Sequence, residues 1–187
     1  MEIYLIRHTT PEVGTDICYG QSDIGLTSTF ASEAETIREK LNGFTPNVVF
    51  SSPLKRCHLL AETLFPKHAA NLSEDILEMN FGQWEMLPWN EIPMAELQPW
   101  MDDFFFSAPP KGESFEALNR RVARFLTSLK ELPAESKIAV VTHSGCLRAF
   151  LIQWLAIPHT HIFNLRLEYG AVLKTTVAGE VTNVQFL

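Results

Sequence analysis

The stretch Met1-Glu2-Ile3-Tyr4-Leu5-Ile6-Arg7-His8-Thr9-Thr10 opens the chain as a short apolar run that stops on an arginine, a histidine and two hydroxyls. A run of this length and composition suits a central strand of a parallel sheet. His8 then falls at the strand's carboxyl end, where open α/β sheets bind their ligands. Lys137-Ile138-Ala139-Val140-Val141-Thr142 repeats the arrangement and runs into His143-Ser144-Gly145. Between the two, Asn47-Val48-Val49-Phe50-Ser51 reads as a third such strand. It is followed by Ser52-Pro53, an N-cap and a proline suited to a helix's first turn, which puts Arg56 in that turn. Strand and helix alternate, so the carboxyl ends collect on one side of a sheet and bring Arg7, His8, Arg56 and His143 together.

Length and composition bound the rest. A chain of 187 residues with 46% hydrophobic and 20% charged residues is expected to form one domain over 1–187. It is long enough to bury roughly 70% of the surface of its unfolded form. A net charge of −7 argues against nucleic acid or an anionic membrane as a partner, because both require a basic footprint. Any phosphate must therefore be held by a local cluster of cations. The chain begins directly in a strand, with no basic segment and apolar signal core, and no apolar stretch approaches membrane-spanning length, so a cytoplasmic location is expected. Cys18, Cys57 and Cys146 are odd in number and widely spaced, which reads as three structural thiols in a reducing compartment.

Residues 9–26 carry three glycines, a proline and small polar residues without a sustained period, which predicts a long functional loop beside the first strand end. Thr27 or Ser28 is expected to cap a helix running to about Asn42, with Phe30, Ala34, Ile37 and Leu41 at helical spacing and Gly43 as its stop. Leu64-Phe65-Pro66 ends the next helix, and Ala69 to Leu72 forms a short strand. Residues 86–112, with five prolines, Trp89, Trp100 and Phe104-Phe105-Phe106, predict short helices capping the site. Gly112-Glu113-Ser114 opens a helix to about Leu132, and a further helix spans Cys146 to Ile157. Ala171 to Val177 and Glu180 to Phe186 alternate around Ala178-Gly179 as an edge hairpin. The expected fold is α/β: a three-layer sandwich, its central sheet mostly parallel, with helices on both faces and a C-terminal antiparallel edge hairpin.

These segments resemble a known family. Leu5-Ile6-Arg7-His8-Thr9 resembles the Arg-His-Gly signature of the histidine phosphatase superfamily, which also contains the cofactor-dependent phosphoglycerate mutases, with Thr9 where the family has glycine. Ser51-Ser52-Pro53-Leu54-Lys55-Arg56 is similar to its second motif. Ile76-Leu77-Glu78-Met79-Asn80-Phe81-Gly82-Gln83-Trp84-Glu85 is similar to its Leu-x-Glu-x-x-Phe-Gly-x-Trp-Glu pattern, with Ile76 at the leucine position. Gly112-Glu113-Ser114 and Thr142-His143-Ser144-Gly145-x-x-Arg148 follow in the family order. The resemblance implies a nucleophilic His8, a general acid Glu78, and Arg7, Arg56 and His143 around the transferring phosphoryl group. It also implies a substrate-binding set of Thr9, Tyr19, Gly20, Gln21, Trp84 and Ser144. Aromatic and apolar neighbours of Glu78 would raise its pKa, as a proton donor requires. Within the superfamily, the short chain and the Tyr19-Gly20-Gln21-Ser22-Asp23 loop look most like the α-ribazole-5′-phosphate phosphatases of cobalamin assembly.

Two histidines and a glutamate could instead hold zinc, but neighbouring guanidinium groups repel a dication, whereas around a phosphoryl group they offset its charge. No metal and no cofactor is expected. Three readings remain: a phosphomonoesterase for a small-molecule phosphate monoester, of narrow or broad specificity; a phosphoglycerate mutase; and a binder without turnover. The short chain favours the first over the second, and the full set of two histidines, two arginines and Glu78 speaks against the third. Nothing in the sequence chooses between monomer and dimer. Arg148 reads equally as structural or functional.

Overall fold

The computed structural model of the chain describes residues 1–179 and 181–187, with only the backbone at Val181. One six-stranded sheet lies at the centre, in the order β3-β2-β4-β1-β5-β6. β1 (Glu2–Arg7), β4 (Lys137–Thr142), β2 (Val48–Ser51) and the two-residue β3 (Asn71–Leu72) are parallel. β5 (Val172–Ala178) pairs antiparallel with β1 and with β6 (Val181–Phe186). The last strand's expected first residue, Glu180, lies outside the described residues.

Alternation along β1 divides the core into two layers. Tyr4 and Ile6 point to one face, where α1 (Phe30–Leu41) and α2 (Lys55–Leu64) contribute Ala34, Ile37, Leu60 and Ala61. Ile3 and Leu5 point to the other, covered by α4 (Phe115–Leu129) and α5 (Ser144–Leu155) through Leu118, Val122, Leu147 and Phe150. The excursion between the two halves holds α3 (Met94–Asp102) and short 3₁₀ turns at Gly82–Trp84 and Trp89–Glu91. Among the described residues no helix is long and apolar enough to cross a membrane.

Several helix boundaries shift for identifiable reasons. α1 begins after Thr29, whose hydroxyl donates to Glu33. It ends at Asn42 and Gly43, both in the left-handed region, as its C-terminus requires. α2 starts at Lys55, not beside Ser52, whose hydroxyl lies 2.8 Å from His143 Nε2 and accepts from the Leu54 N–H only at a long 3.4 Å. Ser114 does cap α4, accepting from the Ala117 N–H at 3.2 Å.

α4 also fastens the loop that carries Glu78. Arg121, buried, donates to the carbonyls of Asp75 at 3.0 Å and Glu78 at 2.9 Å and to both oxygens of Glu113 at 2.8 and 3.2 Å. Glu113 in turn accepts from the Asn80 N–H at 2.9 Å. Gly112-Glu113-Ser114 therefore does more than start a helix. Removing the cation would leave a largely buried carboxylate unpaired, which typically costs 3–5 kcal/mol, at the order-of-magnitude level. Arg121→Met should lower unfolding free energy by about that amount in urea titration, and adding Glu113→Gln should recover part of the loss.

Candidate active site

Because β1 and β4 are neighbours with Arg7 opposite Thr142, the residues that follow each strand, His8 and His143, emerge side by side. The His8 N–H donates to the Thr142 carbonyl at 3.0 Å, and the two rings meet edge to face with centroids 5.1 Å apart. β2 ends one register step away, so Ser52 stands within 2.8 Å of His143 Nε2 and the following helix presents Arg56.

His8 Nδ1 lies 2.7 Å from the carbonyl oxygen of Thr9. A carbonyl can only accept, so Nδ1 carries the proton and Nε2 keeps its lone pair. Burial, then the charges of Arg56 and Arg7, hold the His8 pKa well below 6.5, so the ring is neutral at physiological pH. His143 is depressed in the same way, by burial first and then by Arg56 and His8. The result is an imidazole with a fixed tautomer, an available nitrogen and two guanidinium groups beside it.

Arg56 is fully buried and donates from Nη1 to the Ser22 carbonyl at 2.8 Å and from Nη2 to the Gly20 carbonyl. Arg7 donates to the Leu167 carbonyl and lies 3.9 Å above the Tyr169 ring. None of Arg7, Arg56 and Arg148 forms a salt bridge among the described residues. Each has a buried Nε with no hydrogen-bond partner there. Three cations satisfied by carbonyls and aromatic faces, but by no carboxylate bond, make a seat for an anion.

Glu78 takes the Met79 N–H at 2.9 Å on Oε1 and the Gly145 N–H at 3.1 Å on Oε2. Gly145 is required by this approach, since a Cβ there would collide with Oε1 of Glu78. The carboxyl lines one cavity of about 330 Å³ with Arg7, His8, Tyr19, Ser144, Arg148 and Tyr169. The far side of that cavity is apolar: Ile17, Met79, Phe81, Trp89, Trp100, Phe104, Phe115 and Phe163. Among the described residues no group of three or more His, Cys, Asp and Glu side chains gathers as a metal site.

The expected substrate-binding set divides. Tyr19 and Ser144 line the cavity, and the Tyr19 hydroxyl is 2.6 Å from that of Tyr169. Thr9 is fully buried and acts through its carbonyl; its φ is not positive, so the backbone needs no glycine there. Gly20 and Gln21 stand behind the cavity, Gly20 holding Arg56 and Gln21 donating to the Glu78 carbonyl at 3.0 Å. Trp84 is not at the site. Its ring is 1% exposed, packed with Cys18, Ile92 and Leu97, and its indole N–H donates to Glu96, so it holds the capping segment together. Of the three consecutive phenylalanines only Phe104 lines the cavity; Phe105 is buried and Phe106 exposed.

A profile described as the histidine phosphatase superfamily (branch 1) matches residues 3–187. The chain belongs to that superfamily. It is 27% identical over 176 residues to the adenosylcobalamin/alpha-ribazole phosphatase of Escherichia coli K12, spanning 91% of this chain and 87% of the relative. It is 29% identical over 165 residues to a probable phosphoglycerate mutase of Yersinia pestis, spanning 84% and 76%. The crystal structure of the alpha-ribazole phosphatase from Shigella flexneri superimposes with a TM-score of 0.91 at 24% identity, covering 100% of this chain and 96% of that one, which is a likeness of fold.

Sequence reading quoted Glu85 without giving it a task, and Tyr169 carried no signal at all. Glu85 accepts from the N–H groups of Gly20, Gln21, Ser22 and Phe81 at 2.9, 2.9, 3.1 and 3.0 Å and from the Ser22 hydroxyl at 2.6 Å. That one carboxylate shapes the loop whose carbonyls hold Arg56. Burial pushes its pKa up, but the donors from Ser22, Gly20, Gln21 and Phe81 more than offset this and hold it below 4.5. A depressed carboxylate contributes stability above its unfolded pKa and loses it as pH falls through the folded one. Melting temperature should therefore fall as pH drops below about 4.5, and Glu85→Gln should be less stable than the parent at neutral pH with a shallower acid slope.

Proposed function

We propose that this chain is a phosphomonoesterase that works through a phosphohistidine on His8, without a metal ion, and that its preferred substrate is α-ribazole 5′-phosphate. The observation that carries the chemistry is the His8 ring, its Nδ1–H bound to the Thr9 carbonyl and its Nε2 left with a lone pair, kept neutral by burial and by the charges of Arg56 and Arg7. Nε2 forms a bond to phosphorus as the ester P–O bond breaks, and the pair of electrons leaves with the alcohol oxygen. Attack turns the ring into an imidazolium, whose Nδ1–H then bonds more strongly to the Thr9 carbonyl than the neutral ring's did. Arg7 and Arg56 offset the charge on the three oxygens that keep their bonds to phosphorus, and His143 faces the same group. Glu78, at the cavity wall, delivers a proton to the departing oxygen. It takes one back when water attacks the phosphohistidine and frees His8.

Two measurements decide this reading. Rapid quench with radiolabelled substrate should trap an acid-labile phosphohistidine at His8 and none in His8→Ala, with activity surviving exhaustive chelation. Label recovered elsewhere, or activity lost to chelator and restored by zinc or magnesium, would reject it. Glu78→Gln should impair alkyl phosphates far more than nitrophenyl phosphate, because a nitrophenolate departs largely unaided. Equal losses on the two would remove Glu78 from the role.

The substrate rests on different support. The alpha-ribazole phosphatases resemble this chain over nearly its whole length, and the cavity's apolar side offers Trp89, Trp100, Phe81 and Phe104 to a flat base. Stacking on one or two aromatic faces contributes on the order of 1–3 kcal/mol, about tenfold to a hundredfold in specificity. The ratio of kcat/KM for α-ribazole 5′-phosphate over ribose 5-phosphate and 3-phosphoglycerate should therefore exceed about tenfold. A flat profile would instead describe a broad-specificity phosphatase.

A further inference from the structure

The phosphohistidine reading uses Arg7 and Arg56 and leaves Arg148 without a task. Arg148 stands one turn into α5 and lines the cavity between its polar and apolar sides. Its guanidinium is stacked 4.9 Å from the centre of the Phe163 ring, which in turn packs edge-on to Phe104 at 4.7 Å. Of its five N–H donors two are engaged among the described residues, with the Ser144 and Leu165 carbonyls, both at a long 3.3 Å. Nε is buried and unpartnered among the described residues. Arg148 donates to the Ser144 carbonyl, and the next residue, Gly145, gives its N–H to the Glu78 carboxylate. Arg148 therefore belongs to the Glu78 side of the site, where the leaving alcohol departs.

A guanidinium partly shielded from water, its Nε buried and unpartnered among the described residues and its other bonds long ones to neutral carbonyls, has unused donor capacity that an oxygen of the ligand would satisfy. We infer that Arg148 forms a second polar subsite, donating hydrogen bonds to an oxygen carried by the leaving alcohol itself, a sugar hydroxyl or a carboxylate near the ester. This deepens the phosphatase reading and rests on it for the orientation of the ester, phosphoryl group towards His8 and alcohol towards Glu78. The site then reads a substrate in three parts: phosphoryl at Arg7 and Arg56, an oxygen-bearing middle at Arg148, and whatever follows on the aromatic wall. A site built to bond an oxygen discriminates strongly against an analogue that lacks it, because its own buried donors are left unpaired.

Binding measured by calorimetry in a His8→Ala background separates this subsite from turnover. Arg148→Met should weaken ribose 5-phosphate, 3-phosphoglycerate or both by about tenfold more than it weakens phenyl phosphate, whose leaving group carries no second oxygen. Loss confined to ribose 5-phosphate assigns the subsite to hydroxyls, and loss confined to 3-phosphoglycerate assigns it to a carboxylate. Arg148→Lys, which keeps the charge, should recover part of the difference for the carboxylate. A misfolded fraction lowers the number of binding sites equally for every ligand, so the ratio of affinities isolates the contact. Equal weakening of all three ligands, or none, would overturn the subsite whatever the quench experiment reports for His8. Absence of a phosphohistidine in the parent protein would overturn the phosphatase reading and leave this affinity ratio to stand or fall on its own.

Discussion

Positive charge without a carboxylate partner is the constraint around which this molecule is arranged. Three guanidinium groups gather at the carboxyl edge of the sheet, Arg56 fully buried and Arg7 and Arg148 half-buried along the cavity wall, in a chain whose net charge is −7. Burying a charge is costly unless it is bonded and compensated. Here backbone carbonyls of Leu167, Gly20, Ser22, Ser144 and Leu165 and the faces of Tyr169, Tyr19 and Phe163 do part of that work. The remainder is left for a ligand. An anion that fills the site completes the folded state's own electrostatics, so binding and stability are linked through the same residues.

The nearby carboxylates are spent elsewhere, and that is what keeps the cations available. Glu85 is committed to the loop at Gly20, Gln21 and Ser22, and Glu113 to Arg121 and the Asn80 N–H. Each organises backbone: Glu85 orients the carbonyls that grip Arg56, and Glu113 with Arg121 fixes the segment bearing Glu78. The three thiols follow the same logic of inertness. Burial first of all pushes Cys18 and Cys146 up to about 12, and Cys57, beside His143, higher still, so none is a competing nucleophile.

The sheet and its catalytic edge were legible because they rest on local rules. A buried parallel strand is an apolar run, its end is marked by the first polar residues, and adjacent parallel ends put His8 beside His143. What could not be read is set by contacts between distant segments. Nothing in Leu167-Glu168-Tyr169-Gly170 signals that Tyr169 will lie under Arg7, 162 positions away in the chain. Trp84, expected at the substrate, fills a core instead, because an aromatic in a motif can do either and periodicity does not distinguish the two. The start of α2 shows a similar division, since the Ser52 hydroxyl serves both the local Leu54 N–H, at 3.4 Å, and the distant His143, at the shorter 2.8 Å.

The division between the legible and the illegible half is also a division of labour. His8, Arg7, Arg56 and His143 hang from strand ends and a helix start, elements whose geometry is fixed by hydrogen-bonded pairing and a packed core, which suits a reaction that demands alignment within a fraction of an ångström. The wall that meets the leaving group comes from the capping excursion, with Trp89 and Trp100 stacked at 6.2 Å and Phe81 edge-on to both, and from Phe163 in the turn after α5. Those segments lie outside the strands of the sheet. Arg148 joins the halves, since it is rooted in α5, the helix that starts at Ser144, yet rests on the aromatic wall through Phe163. Phe81 makes a second such link, since its N–H bonds to Glu85, the carboxylate that shapes the loop holding Arg56, so a change in the wall reaches the phosphoryl end both through Arg148 and through that loop.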